Sequence, residues 1–377
     1  MLGKHENDEA GSGRPYAGFR KEARDKGTGT YTVEGRRFAH GEEINRREPD
    51  SFRSSSTTSK PGKERAMRPA NFDYLADRLR NWGRWGEADQ RGTLNHIGPE
   101  TLKKSAAEVR DGKLFNLGLR FDRNGPQLGH KRFNPMVYAT DLFTPMGPGA
   151  QGVCYSDDVI HMPLQCSTQW DALGHVHYDG HLYNGCNARE CLTENGALKM
   201  GINHLATPGI VSRGVLVDIA RLKGVERLPL DYAITVDDLN AACEKQGASV
   251  GAGDILLVHT GHMLWFTADG DRDSFMGMQP GLSYTCAEWA HDKSLAAVAG
   301  DNMAVEILDA EGMGSEMPLA FHMLALRDMG MPLGEMFNLE ALAADCAADG
   351  RYSFLLAAPP LEVTGGFGSP VNPHALK

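Results

Sequence analysis

The sequence predicts an α/β fold, a single compact domain spanning residues 67–377. Three observations carry this expectation. Residues 253–261, Gly-Asp-Ile-Leu-Leu-Val-His-Thr-Gly, are a short and nearly continuous apolar run, as in a strand buried on both faces. Thr235 precedes Val-Asp-Asp-Leu-Asn-Ala-Ala-Cys-Glu, where its hydroxyl can accept from orphan N–H groups and Asp237 and Asp238 lie in the first turn, so a helix starts there. Strand-like and helix-like stretches then alternate from residue 71 onward with no internal repeat and no linker.

Taken in order, residues 71–82 are amphipathic, and Trp82 to Asn95 is a turn-rich aromatic stretch. Residues 99–110 have helical spacing, with Pro99 first and Glu100 close behind. Residues 114–121 and 209–218 read as strands, as do 253–261, 295–298 and 353–358. Residues 283–293 and 316–329 read as helices. Gly365-Gly-Phe-Gly-Ser-Pro370 has no helix after it and reads as a tight turn with close backbone approach.

The first 66 residues differ from the rest. They hold 14 basic and 11 acidic residues, whereas the remaining 311 carry 25 and 38. Few residues there are apolar, no period is visible, and a Ser/Thr cluster at 54–59 runs into Lys-Pro-Gly-Lys. The segment reads as disordered: either a solvated arm or an extension included by too early a start, with Met67 the favoured true start.

Composition narrows the function classes. A formal charge of −10 argues against nucleic acid or an anionic membrane as the main partner, and no apolar run reaches the ~18 residues of a spanning helix. The N-terminus has no apolar signal region, and seven scattered cysteines read as reduced thiols, which together predict a cytoplasmic protein. Cys186 and Cys191 lie five apart without the second pair that a structural zinc site needs.

Residues 165–177, Gln-Cys-Ser-Thr-Gln-Trp-Asp-Ala-Leu-Gly-His-Val-His, pack two amides, a carboxylate and two imidazoles into thirteen positions. Such residues are poor core formers, so the stretch reads as the floor of a small-molecule site. There is no phosphate-binding glycine loop, no His-Glu-x-x-His and no nucleophile elbow to compete with it.

Gln165-x-Ser167-Thr168-Gln169-x-Asp171-x-Leu173-x-His175 resembles the His-x-Gly-Thr-His-x-Asp-x-Pro-x-His signature of the cyclase-like metal hydrolases, which include bacterial kynurenine formamidases and isatin hydrolases. Thr168, Asp171 and His175 hold register. Both early histidines are glutamine here, the glycine is Ser167 and the proline is Leu173. Matches continue at Trp85-Gly-x-x-Asp89, Gly92-Thr-Leu-Asn95, Gly253-Asp254 with Thr260-Gly261, Asp301-Asn302 with Glu306, His322 with Glu335, and Pro359-Pro360 before Gly365–Pro370. The resemblance covers roughly 80–375 and implies a mixed sheet curled towards a barrel with helices outside, in a homodimer or homotetramer.

It also implies a divalent metal, manganese or zinc, held by Asp171 with Gln165 and Gln169 in place of imidazoles, and completed by His322 and Glu335. An amide oxygen is a weaker and harder donor than imidazole, which moves preference from zinc towards manganese or magnesium. The implied reaction is hydrolysis of a small cyclic or linear amide or a lactone by metal-activated water. His175 is its acid/base, and Asp171 and Glu335 share the catalytic role. Trp85, Trp170 and Tyr183 are candidates for an apolar wall around the substrate. His177, His262 at a strand end, and Glu306, an acid among apolar neighbours, are further lining candidates. The competing readings are a metal-free lyase, dehydratase or cyclase using Asp171 and His175, and a small-molecule binding protein with a decayed site.

Overall fold

The computed structural model describes residues 30–33, 36–39, 68, 71–127, 136–149, 151–308, 317 and 319–377. The chain divides into two compact units, Met1–Arg65 and Ala66–Lys377. Most of the first unit, and with it the expectation of disorder or of a start at Met67, lies outside the described residues. Within it, Thr30–Val33 pairs antiparallel with Arg36–Ala39.

The second unit is built on a nine-stranded mixed sheet that curls into a half-barrel. Its strands are β1 (Leu114–Asn116), β2 (Gln169–Asp171), β3 (Val211–Asp218), β4 (Ile255–His259), β5 (Ala297–Gly300), β6 (Leu333–Glu335), β7 (Ser353–Ala357), β8 (Gly368–Pro370) and β9 (His374–Leu376). Across the sheet they run β8-β2-β6-β5-β4-β3-β7-β9-β1. The central four, β6, β5, β4 and β3, are parallel; the flanking pairings are antiparallel. Every residue of β4 and β5 is buried, as the apolar run at 253–261 requires of a strand covered on both faces.

Local chemistry places the helices. Thr235 caps Val236–Gln246: its hydroxyl accepts from Asp238 N–H at 3.3 Å, and the Asp238 carboxylate accepts from Thr235 N–H at 3.0 Å. The predicted helix at 99–110 stops at Ala106, and the strand at 114–121 stops at Asn116, where Asn116 Oδ1 accepts from Gly118 N–H and turns the chain. Gly365-Gly-Phe-Gly-Ser-Pro370 is only partly the expected turn. Gly365, at φ 74°, makes the turn, and Gly368–Pro370 continues as strand β8 against β2.

One close approach fixes the sheet edge that matters most. Gly334 in β6 lies opposite Trp170 in β2, and a Cβ at 334 would come within 2.8 Å of both the Trp170 ring and Ala299. Glycine therefore leaves room for the indole, which packs edge-on against Phe337 at 5.4 Å between ring centres. With Trp170 turned to the core, strand alternation sends Gln169 and Asp171 to the other face.

Beyond the sheet, Met136–Pro145 and Cys154–His161 form a two-stranded ribbon, and every residue of its second strand is exposed. Among the described residues no helix is long and apolar enough to cross a membrane.

Candidate active site

Four short segments bring six functional side chains together. Gln169 and Glu335 are cross-strand partners in the β2–β6 pair, so their side chains emerge side by side. The Gln169 amide donates from Nε2 to Glu335 Oε2 at 2.7 Å and to Asp171 Oδ1 at 3.1 Å. His322 ends the helical turn Ala320–His322, after which Met323–Met329 runs on as a π-helical stretch, a distortion frequent at functional sites. Its Nε2 lies 3.3 Å from Glu335 Oε1 and 3.6 Å from Asp171 Oδ2.

Behind His322 stands Glu306, 2% exposed. Its carboxylate accepts from the backbone N–H groups of Phe321 and His322, both at 3.0 Å, and from His322 Nδ1–H at 2.5 Å. That bond fixes which imidazole nitrogen faces Asp171 and Glu335, the arrangement by which a carboxylate orients a metal-binding histidine. Burial disfavours charge on His322. The bonds to Asp171, Glu306 and Glu335 outweigh it and hold the imidazolium well above the usual histidine range.

Asp171, His322 and Glu335 offer ligand atoms within 4.8 Å of one another, all three residues buried. Gln169 Oε1 is buried and has no hydrogen-bond partner, an orphaned acceptor beside two carboxylates. Two acids and an imidazole suit a divalent cation.

His175 is the one titratable side chain of the group that reaches solvent. Its Nε2 is 3.9 Å from Asp171 Oδ1, and the side chain is 27% exposed. Asp171 thus lies between two imidazoles, His175 at one oxygen and His322 at the other. Gln165 sits at the rim. Its Nε2 is 2.7 Å from where a Cβ on Gly368 would stand, and Gly368 is the β8 partner of Asp171.

The other expected residues lie apart from this cluster. Trp170 is fully buried on the opposite face of β2 and donates from its indole N–H to Ala358 O at 2.8 Å. Tyr183 is fully buried and donates to Asp89 Oδ2 at 3.0 Å. Trp85 packs edge-on against His96. His262 is buried against Phe275, with its Nε2 on Phe275 O at 2.9 Å. His177 is exposed. Glu306, a lining candidate from the sequence, stands behind His322 with its carboxylate on Nδ1.

The Cyclase family model matches residues 115–307. A crystal structure of a novel cyclase is 39% identical, with a TM-score of 0.72 over 80% of this chain and 99% of that one. An isatin hydrolase bound to the product analogue thioisatinate is 17% identical, with a TM-score of 0.53 over 74% of this chain and 99% of its own. Isatin hydrolase A from Ralstonia solanacearum is 19% identical, with a TM-score of 0.51 over 74% and 98%. At these identities the two isatin hydrolases share the fold. No curated protein matches the chain.

Proposed function

This chain belongs to the Cyclase family, and we propose that it is a metal-dependent hydrolase that opens a small cyclic amide, a linear amide or a lactone. The convergence of Asp171, His322 and Glu335 within 4.8 Å carries this reading. Asp171, His322 and Glu335 would hold a divalent ion, whose chemistry there would be to polarise a carbonyl oxygen and acidify water.

The protein's own groups divide the remaining work. Asp171 and Glu335 present their oxygens from adjacent strands, and Gln169 holds the two carboxylates at a fixed separation. Glu306 acts through His322 as a positioning residue. His175 combines access to solvent with proximity to Asp171, so it delivers the proton to the leaving nitrogen or oxygen. Amides in place of two imidazoles favour manganese over zinc in this set.

One observation favours the metal-free reading. The Gln169 amide already bridges Asp171 and Glu335, and three carboxylates already surround His322, so the cluster is largely satisfied by its own groups. In that case Asp171 and His175 perform acid/base chemistry on a lyase or cyclisation substrate.

The proposed setting is the cytoplasm, supported by seven free cysteines, and the proposed assembly is a homodimer or homotetramer. The exposed ribbon supports the latter, because Val137, Leu142, Phe143, Val159 and Ile160 are each more than half exposed on it.

Turnover of lactones and cyclic amides by the parent protein and by His175→Ala tests the proposal. We expect a fall of roughly a hundredfold or more in kcat with ligand binding retained. Undiminished turnover by His175→Ala contradicts the assignment of His175.

A further inference from the structure

A second group of ionisable side chains lies at the C-terminal ends of the central parallel strands, outside the cluster around Asp171. Asp218 ends β3, His259 ends β4, and Asp301 follows β5, so three adjacent parallel strands deliver these groups from their C-terminal ends. Glu340, the first residue of the helix Glu340–Asp349, closes over them. Asp218, His259 and Asp301 are at most 5% exposed.

We propose that His259, Asp301 and Glu340 hold a second divalent cation, with Asp218 as the group that orients the imidazole. His259 Nδ1–H donates to Asp218 Oδ1 at 2.9 Å, which aims Nε2 at Glu340 Oε1, 3.0 Å away, and at Asp301 Oδ2, 3.9 Å away. The three ligand atoms lie within 4.8 Å of one another, so a small closing movement of the side chains would bring each to ~2.0–2.2 Å from a single ion. A carboxylate behind a histidine that faces two further carboxylates is the arrangement that fixes tautomer and ring orientation at metal centres.

The outer contacts are hydrogen-bonded. Asp218 caps the helix Ile219–Lys223 and also accepts from Arg221 Nε at 3.1 Å. Asp301 accepts from Thr260 Oγ1 at 2.6 Å and from Gly261 N–H at 2.8 Å. A cavity of about 420 Å³, lined by Asp218, Arg221, Glu226, His259 and Glu340, leads to the group from solvent.

Charge counting points the same way. Three carboxylates face one imidazole, and Arg221 offsets one of them through Asp218. Arg227, the other cation near Glu340, is paired with Asp269. The carboxylates outnumber the fixed positive charges around them, and a divalent ion would offset the excess. Unbalanced buried charge is costly. The ion would clamp the start of Glu340–Asp349 to the ends of β4 and β5.

This site is independent of the reading of Asp171, and the test separates them. The full chain, stripped with chelator, is titrated with Mn²⁺, and free ion is followed by electron paramagnetic resonance. We expect two ions per chain, one in Glu340→Gln and one in Asp171→Asn. A Glu340→Gln variant that binds as many ions as its parent overturns the proposal. So does a parent whose single ion is abolished by Asp171→Asn. Should Glu340→Gln fail to fold, Asp171→Asn decides: saturating Mn²⁺ raises its melting temperature by several degrees if the second site exists. No shift overturns the proposal.

Discussion

Gln169 and Glu335 face each other across the antiparallel pair β2–β6, and the amide donates to the carboxylate at 2.7 Å. The contact places a neutral side chain where the family signature has an imidazole, directly against an acid on the next strand. This makes Gln169 the point at which the metal preference of the site can be altered.

Gln169→His replaces a hard oxygen donor with a nitrogen donor in the same strand register. Zinc affinity is expected to rise by about tenfold or more, while manganese affinity changes little. Competition titrations of both ions against a chromophoric chelator measure the ratio. An unchanged ratio would show that residue 169 does not touch the ion.

Glu306→Gln keeps the shape of the side chain but weakens its hold on His322 Nδ1–H. The expected cost is about 10- to 100-fold in metal affinity, with little change in KM once the site is saturated. Metal-binding isotherms and saturated kinetics separate these effects. A loss of KM alone would place Glu306 at the substrate instead.

The ribbon gives an assembly prediction. Val137 and Ile160 are cross-strand partners and both are more than half exposed. Isolated two-stranded ribbons are marginal in water, so a covered face is expected. Val137→Ser with Ile160→Ser should lower the molar mass measured by light scattering while leaving the main sheet folded. An oligomer unaffected by both changes would remove the ribbon from the interface.

A buried histidine sets the response to acid. Burial, only partly countered by its bond to Phe275 O, pushes His262 down to about 4. The unfolded chain therefore binds a proton below pH ~6.5 that the folded chain does not bind until about pH 4. Stability falls as pH drops through that window, and His262 accounts for about 2–3 kcal/mol of the loss by pH 4.5. His96, also lowered to about 4 by burial and by Arg84, acts in the same direction. Urea unfolding at pH 7 and pH 4.5 should show a shallower decline for His262→Gln than for the parent. Equal declines would mean that His262 does not carry the effect.

The sequence exposed some of this structure because local rules governed it. The Thr235 cap and the apolar run at 253–261 are decided within a few residues, and they became a capped helix and a fully buried strand. The half-barrel came from the family resemblance, since curvature depends on pairings among nine strands far apart in the chain.

In the site, strand alternation is the informative signal. Trp170 lies between Gln169 and Asp171, so in a strand it must face away from them, and it packs on Phe337. The acid at 306 stood out in an apolar run, but its bond to His322 depends on tertiary packing that spacing does not reveal. The ribbon carries apolar side chains on both faces, which hides the period of two by which a half-buried strand is recognised.

The most direct test of the central claim is elemental analysis of protein purified without chelator or added metal, alongside Asp171→Ala. The account predicts bound manganese or zinc, with about one ion per chain lost in the variant. A metal-free parent, with no hydrolysis gained on adding manganese, zinc or magnesium, would contradict it and move the chemistry to Asp171 and His175 alone.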